Sequence, residues 1–544
     1  MIPRPPPIDI TQTSMVGLGS YPTLDELVSG MNSYESTDGW DVVVSYSLDK
    51  LDALLKTLWK NDPKFSQSFV FTTEVPGWDD DDTYYIDWTV KLESPSLQFT
   101  QKGNATLVMP ISGSSVKRKN GKTKPGDDVP AGYSLHLTTP LLAVKASEEG
   151  KITKEADKGV VLGFDNDPKA KLHIVFKFAV KGWDDAICTI DWDGSGTEPA
   201  TNFKDKGVKD KIVDYLHSNL SAVKYALAVV TPAQMQDTVQ LTPVTMTFTV
   251  VTQPTANEGD GGPSCLSVYM RTKGGYQDGH AHPVFRVKSV YDTVETYPIP
   301  YGHSSSIIIR HKLFYEKFLE KELQSIVDSK GTKAFASVSN ITQGSDSGFQ
   351  VRMCLNKDYI IHSLQDHHDS KEGSPWRIFY KDVLSTFDYS PLTMTISGSQ
   401  ANWSLSFPGE KEIKWEHDYR DKWQDERTEY GFVEYSLSFS SSGNLLSTNQ
   451  KQISAVIDVP ASAWKATSYA RQPGLLDPFS PDYPGIVKGA IESLAYPAFR
   501  GTLRLDFFAT TNVFAPGKSI IDIHTGIGIK TPHDVLLVGD VRQP

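Results

Sequence analysis

The chain has 544 residues, of which 39% are hydrophobic and 22% are charged, a composition typical of a folded protein with a sizeable core. Its formal net charge of -12 repels a phosphate backbone, so nucleic acid is disfavoured as a partner. The three cysteines, Cys188, Cys265 and Cys354, lie too far apart to indicate a disulfide framework or a zinc site, and we interpret them as buried thiols.

The amino terminus is rich in proline and lacks the apolar segment of a secretory signal. No window is apolar over the roughly 18 residues that a membrane-spanning helix requires. We therefore expect cytoplasmic synthesis, with non-classical export left open. Residues 1–33 are interpreted as a Pro-rich extension that precedes the first folded unit.

The segment GWDVVVSYSLDKLDALLKTLWKND, residues 39–62, changes from an apolar alternating run to a leucine stripe with helical spacing. It predicts an amphipathic helix over 48–60, with Ser47 as its N-cap. The stripe consists of Leu48, Leu51, Leu54, Leu55 and Leu58. Burying four of these leucines would contribute roughly 6–12 kcal/mol before opposing terms, so the helix must lie on an apolar surface.

Long strands are predicted after this helix, because apolar and polar residues alternate between Gly, Pro and Asp turns. The predicted strands are 68–75, 83–92, 105–112, 133–144, 159–164 and 171–182. A second helix is predicted at 206–220, followed by strands at 222–231, 244–253 and 265–272.

The second half of the chain repeats this order. We predict a long helix at 302–329, strands between about 333 and 459, a closing helix at 484–499, and strands at 502–514, 519–529 and 535–541. The order of helix, long strands, helix and short strands therefore occurs twice, which indicates an internal duplication. We place the two units at 34–275 and 276–544.

Three segments resemble a known family. They are YESTDGWDVVVSYSLDKLDALL, YPIPYGHSSSIIIRHKLFYEKFL and TNVFAPGKSIIDIHTGIGIKTPHDVLLVGDV. They are similar to the amino-terminal, middle and carboxy-terminal signatures of the clostridial forty-seven-kilodalton protein and OrfX group, accessory proteins encoded beside some botulinum neurotoxin genes. This group belongs to the tubular lipid-binding (TULIP) superfamily, which includes the bactericidal/permeability-increasing (BPI) proteins.

The resemblance implies an α+β fold of two tandem TULIP-like units, each a long twisted antiparallel sheet wrapped around amphipathic helices. It also implies apolar grooves for a lipid or another hydrophobic molecule, and a protein partner from the same gene cluster. It supplies no catalytic residues. The chain departs from the shorter members of the group by its extended Pro-rich amino terminus and by polar inserts such as 364–375.

Two sets of side chains are candidate contacts for such a ligand. The apolar helix faces would line the groove or fill it as core, and periodicity does not separate these readings. The groove candidates are Leu51, Leu54, Leu55, Leu58, Phe314, Phe318 and Phe335. The basic run KRKNGKTK, placed by Asn-Gly at a hairpin tip, would attract anionic head groups at a membrane surface, with a solvated tip as the alternative. Its candidates are Lys117, Arg118, Lys119, Lys122 and Lys124.

Metal and enzyme chemistry are weaker readings of the sequence. The acidic run at 78–85 lacks the spacing of a calcium loop, and the histidine pairs at 280 and 282 and at 367 and 368 have no third ligand nearby. His417 and Asp418 are interpreted as a strand-edge pair. The run GSDSG at 344–348 has the wrong spacing for a nucleophile elbow, and no phosphate-binding loop is present. We predict no metal site and no cofactor.

The sequence thus favours non-catalytic binding of a lipid or another hydrophobic ligand in an apolar groove. The first alternative is a structural accessory protein whose grooves are plugged by its own side chains. The second is an unrecognised enzyme that acts on an apolar substrate, which would need convergent polar groups in one pocket.

Overall fold

The computed structural model describes continuous stretches at residues 20–61, 68–75, 83–99, 104–146, 187–200, 263–319 and 521–542, and elsewhere single strands and a few isolated residues. In most strands between 139 and 230 and between 335 and 504, the backbone path alone is described. Strands are numbered in chain order.

A central antiparallel sheet contains seven of the described strands. They are β1 (Val42–Ser47), β9 (Leu162–Gly163), β13 (Pro243–Thr252), β14 (Ser264–Thr272), β17 (Ser305–Ile309), β30 (Ile521–Ile523) and β31 (Val535–Val541), in the order β30-β31-β17-β1-β14-β13-β9. In β1 and β17 every residue is buried, so the sheet is covered on both faces. Such strands have continuous apolar runs, which explains VVV in β1 and III in β17.

The strand order is mirrored about the contact between β1 and β17. These two strands are antiparallel neighbours with Val44 opposite Ile307, and each leads directly into a helix. Outward from β1 follow β14 and β13, and outward from β17 follow β31 and β30. An internal duplication would produce this order. The unit boundaries at 275 and 276 stay a prediction.

Two helices flank β1 in the chain: α1 (Leu24–Met31) and α2 (Leu48–Asn61). The prediction of α2 is confirmed, but the prediction of Ser47 as its N-cap is wrong. Ser47 is the last residue of β1, its backbone amide donates to Ser304 O at 2.8 Å, and its buried hydroxyl has no hydrogen-bond partner. Because α2 begins directly at the end of a ladder-bound strand, no separate capping residue stands between them.

Helix α1 was not predicted and lies inside the presumed extension. Thr23 and Glu26 form a reciprocal capping box, in which each side chain accepts from the other residue's backbone amide. Leu27 and Met31 are buried against Trp40 in one core cluster. The cluster also contains Val43, Tyr269, Phe285, Val287, Ile308, Leu536 and Val538. Helix α1 therefore takes part in the core.

The helix predicted at 302–329 is wrong in its first part, because residues 305–309 form β17. Three consecutive β-branched isoleucines at 307–309 favour a strand, and β17 is paired on both sides, with β1 and with β31. The helix begins at 311 and continues as a wide π-type segment, Leu313–Leu319. Residues 320–329 and the predicted helix at 206–220 lie outside the described residues, apart from positions 210 and 211, as do 484–498 of the closing helix.

A second antiparallel sheet contains ten of the strands that the structure describes. They are β2 (Phe69–Val75), β3 (Tyr84–Leu92), β4 (Ser96–Phe99), β5 (Asn104–Lys119), β6 (Lys122–Asp128), β7 (Tyr133–Ala146), β8 (Ile152–Ala156), β10 (Lys171–Phe176), β11 (Ile187–Trp192) and β12 (Ala226–Val230). Strand β5 extends beyond its predicted end at 112 and pairs with β6 to form a hairpin.

A third sheet contains nine described strands, and the remaining five form two small sheets. The third sheet comprises β18 (Phe335–Gln343), β19 (Phe349–Leu355), β20 (His367–Asp369), β21 (Trp376–Lys381), β22 (Pro391–Ser397), β23 (Gln400–Ser406), β24 (Lys411–Asp421), β25 (Glu426–Asn444) and β28 (Trp464–Arg471). The small sheets pair β15 (Arg286–Lys288) with β16 (Thr293–Glu295), and β27 (Gln452–Ile457) with β26 (Leu446–Thr448) and β29 (Phe499–Arg504). Within the described residues, no helix has both the length and the apolarity needed to cross a membrane.

Candidate functional site

The groove candidates whose side chains are described are all buried. Leu51, Leu54 and Leu55 on α2 are 0–1% exposed. Phe314 and Phe318 on the helix after β17 are 0% and 2% exposed, with ring centroids 5.4 Å apart. Leu58 lies in α2 and Phe335 in β18, but their side chains lie outside the described part. Both helices therefore carry an inward apolar face.

Helix α2 contacts the central sheet at β1 and β14 and the second sheet at β4. A hydrogen bond links α2 to β4, because Asp52 accepts from the Leu97 backbone amide at 2.7 Å. Within the helix, Asp52 also forms an ion pair with Lys56 at 2.6 Å. The apolar side chains of α2 are thereby held between two sheets.

The basic run forms the tip of the β5–β6 hairpin. Asn120 and Gly121 have φ of 48° and 73°, as a two-residue type I′ turn requires. Lys117 is 3.7 Å from Asp127, and Arg118 is 3.2 Å from Asp87 and stacks over the Tyr85 ring. Lys119, Lys122 and Lys124 are exposed. Carboxylates therefore pair with Lys117 and Arg118, and all three remaining head-group candidates lie on the exposed surface of the tip.

A dense polar cluster lies where β17 ends and β31 begins. Arg310, 3% exposed, forms a bidentate pair with Asp278 at 2.6 and 2.9 Å and lies 3.0 Å from Glu35 Oε1. The guanidinium hydrogen bonds keep the pKa of the Asp278 carboxyl below its ordinary value. Glu35 Oε1 also accepts from the Gly39 amide at 3.1 Å.

Asp534 is the most deeply buried carboxylate of this cluster, with none of its side chain exposed. It accepts from the backbone amides of Ser36 at 2.7 Å and His311 at 3.0 Å. Ser36 and Asp534 are 498 positions apart in the chain. This one carboxylate therefore joins the loop before β1 to the end of β17 and the start of β31.

His311 and His533 continue the β17–β31 register beyond the last paired residues, and their ring centroids are 3.8 Å apart. His311 Nδ1 lies 3.3 Å from Asp534 Oδ1 and 3.8 Å from Glu35 Oε2. His533 is 5% exposed, and neither of its ring nitrogens has a hydrogen-bond partner. Burial lowers the pKa of His533 to about 4, and the nearby His311, Lys288 and Arg310 act in the same direction against Asp534.

A second cluster lies at the opposite end of β31. Asp540 accepts from the Ser304 amide at 2.9 Å and from its hydroxyl at 3.0 Å, and lies 2.6 Å from His524 Nε2. His303 packs beside His524, with ring centroids 5.0 Å apart. An aspartate with neighbouring histidines thus lies at each end of β31. Asp534 accepts from two backbone amides and Asp540 from one.

The histidine motifs noted in the sequence are separate from these clusters. His280 is 73% exposed, and its Nδ1 lies 2.6 Å from Asp38. His282 is exposed. The pair at 367 and 368 lies in β20, and His417 lies in β24, where the backbone alone is described. Residues 78–82 of the acidic run lie outside the described residues.

Sequence inspection missed Glu35, His311 and His533, because they are distant in the chain and none belongs to a local motif. Of the cysteines, Cys265 is buried in β14, and burial raises the pKa of its thiol to about 12, which makes it an inert core residue. The side chains of Cys188 and Cys354 lie outside the described part.

Comparison with solved structures finds similar proteins at low sequence identity. The structure of P47 from Clostridium botulinum A2 is 12% identical, with a TM-score of 0.46, and the likeness covers 93% of this chain and 98% of that one. The crystal structure of a lipopolysaccharide binding protein is 9% identical, with a TM-score of 0.27. This likeness covers 93% of this chain and 99% of that one. No protein-family model and no curated protein matches the chain.

Both likenesses span nearly the whole of this chain, at TM-scores below 0.5. The described part of the chain is mostly antiparallel sheet with few helices. The predicted fold of two tandem TULIP-like units, in which each sheet wraps around amphipathic helices, stays a prediction.

Proposed function

We propose that this protein binds a lipid or another hydrophobic molecule without catalysis, against the apolar faces of the helices that follow β1 and β17. The observation that supports the proposal is the paired arrangement of these helices. They follow two adjoining antiparallel strands, and their buried faces carry Leu51, Leu54 and Leu55 on one helix and Phe314 and Phe318 on the other. Apolar burial contributes about 0.8 kcal/mol per methylene without requiring directional contacts, so such faces suit an acyl chain.

The buried state of the described candidates also supports a second function. Leu51, Leu54, Leu55, Phe314 and Phe318 are at most 2% exposed without any ligand. This degree of burial favours an accessory protein whose grooves are filled by its own side chains and which acts through its surface. The protein partner would then be another product of the same gene cluster.

A Leu54→Trp substitution separates these two functions. If lipid occupies the space beside α2, the larger ring displaces it, and we expect lipid that copurifies with the wild-type protein to be reduced at least about twofold while the free energy of unfolding changes little. If the groove is filled, overpacking costs about 1–3 kcal/mol and the wild-type protein carries no lipid. Native mass spectrometry with organic extraction measures the lipid, and urea unfolding measures stability.

Leu536→Trp is the matched control, because Leu536 is 0% exposed but packs in the cluster around Trp40 and α1. It should lower stability and leave the lipid content of the folded protein unchanged. A wild-type protein that contains no lipid, and takes up none from mixed vesicles, would contradict the binding function.

We further propose that the β5–β6 hairpin contacts anionic head groups at a membrane surface. Near such a surface each basic side chain contributes about 1 kcal/mol. Neutralising Lys122 and Lys124 together, as Lys122→Gln with Lys124→Gln, should weaken binding to phosphatidylglycerol-containing vesicles about 30-fold, which corresponds to about 2 kcal/mol. Vesicle cosedimentation at low and high salt measures the change.

The control variant makes the same change of net charge elsewhere, at the exposed residues Lys60 and Lys211. Lys60→Gln with Lys211→Gln should leave vesicle binding within about twofold of the wild-type value. Equal loss in both double variants would show that net charge alone drives adsorption, and would contradict a role for the hairpin.

A further inference from the structure

The polar cluster between β17 and β31 contains a set of side chains with the chemistry of metal ligands. Glu35, His311 and His533 each offer one donor atom, and the three atoms lie within 4.8 Å of one another. Two imidazoles and one carboxylate are a ligand set that Zn²⁺ binds in proteins, with the fourth position left to water. Nothing in the lipid-binding proposal requires these residues.

The environment of the His533 side chain indicates a ligand. His533 is only 5% exposed, and both of its ring nitrogens lack a hydrogen-bond partner. A buried polar group without a partner is costly, and native structures rarely retain one without a reason. A cation bound to one of these nitrogens would satisfy it.

The surroundings resemble the outer shell of a metal site. One oxygen of Glu35 is held by Arg310 at 3.0 Å and by the Gly39 amide at 3.1 Å, while Oε2 is the oxygen on the side of His311. Asp534 binds the His311 amide and lies 3.3 Å from its Nδ1. Carboxylates beside ligating imidazoles fix the orientation of the ring and raise its basicity.

We propose that Glu35, His311 and His533 bind a divalent transition-metal cation, Zn²⁺ being the ion whose ligand preferences they match. The three ligands come from the loop before β1, the end of β17 and the start of β31. The cation would therefore join both predicted halves of the chain at their shared sheet. Since binding to the folded state alone raises stability, the site would act as a structural tie.

The cluster of His303, His524 and Asp540 offers a similar set of atoms within 4.8 Å. It is the weaker candidate, because His524 Nε2 already pairs with Asp540 at 2.6 Å and both side chains are 41% exposed. The two clusters lie at opposite ends of β31, so each can serve as the control for the other.

The test uses the full chain, purified without a polyhistidine tag, freed of metal with EDTA and titrated with ZnCl₂ by calorimetry. We expect one equivalent of Zn²⁺ to bind and the thermal midpoint to rise. Glu35→Gln and His533→Gln should each raise the dissociation constant by about 100-fold or more, beyond the 10- to 100-fold typical of losing an outer-shell partner. His524→Gln should bind Zn²⁺ as the wild-type protein does.

Glu35→Gln keeps an acceptor for Arg310 and the Gly39 amide, so it reports on the site even if His533→Gln does not fold. Co²⁺ provides a second readout, because tetrahedral coordination gives visible d–d absorption that Glu35→Gln should abolish. Absence of saturable Zn²⁺ uptake by the wild-type protein would overturn the proposal. So would uptake that survives Glu35→Gln, or uptake that His524→Gln removes instead.

Discussion

Replacing Asp534 with alanine should lower the free energy of unfolding by about 2–6 kcal/mol. The carboxylate is fully buried and accepts from the backbone amides of Ser36 and His311 at 2.7 and 3.0 Å. Alanine leaves both amides without an acceptor in a buried position, and each such group costs about 1–3 kcal/mol. Urea unfolding of the wild-type and variant proteins, followed by tryptophan fluorescence and circular dichroism, measures the loss.

Asp540→Ala is the matched control, since Asp540 occupies the other end of β31 and also accepts from a backbone amide, that of Ser304. Its side chain is 41% exposed, so water can replace the lost contacts and the expected loss is about 1 kcal/mol. An Asp534→Ala protein as stable as Asp540→Ala would show that burial of the carboxylate is unimportant for the fold.

Replacing Trp40 with alanine should lower the free energy of unfolding by about 3–5 kcal/mol, as expected for a fully buried large aromatic residue. Trp40 is 0% exposed and belongs to the core cluster that joins α1 to the central sheet. The Arg271 guanidinium lies 4.7 Å from the indole ring, and Nε1 donates to His280 O at 2.9 Å. The substitution therefore removes packing, a cation–π contact and a hydrogen bond together.

Trp40→Phe keeps an aromatic ring and should cost about 1–2 kcal/mol, for the lost hydrogen bond and the smaller volume. Gly279→Ala tests the same packing from the other side, because a Cβ at this glycine would lie 2.8 Å from the indole ring. We expect it to be destabilising as well. If Trp40→Ala and Trp40→Phe unfold at the same urea concentration, the ring does not organise this core.

The local sequence pattern was sufficient to predict those helices and strands that have one buried face and one exposed face. The leucine stripe of α2 and the alternation of β2, β3 and β7 follow a single period, so their type and approximate position were predicted. The helix predicted at 302–329 was wrong in its first part because residues 307–309 lie between two partner strands. An apolar run of that length fits a buried strand or a buried helix equally well, and only the pairing partners decide.

The start of helix α1 has a local sequence signal. The TLDE segment is a capping box immediately before an apolar position, a recognised mark of a helix start. The Pro-rich stretch upstream favours an extension over residues 1–33, and α1 lies within that range. The burial of Leu27 and Met31 against Trp40 could not be read from sequence, since their partners come from β14, β17 and β31.

The sequence by itself determined the hydrophobic period of each segment, the net negative charge, the resemblance of three segments to a known family and the basic hairpin tip. These properties depend on neighbours within a few residues or on composition. The tertiary structure decided the pairing of β1 with β17 and the meeting of Glu35, His311 and His533, because antiparallel register brings together positions that are hundreds of residues apart. No local spacing encodes such a juxtaposition, so the polar cluster became visible only in the folded chain.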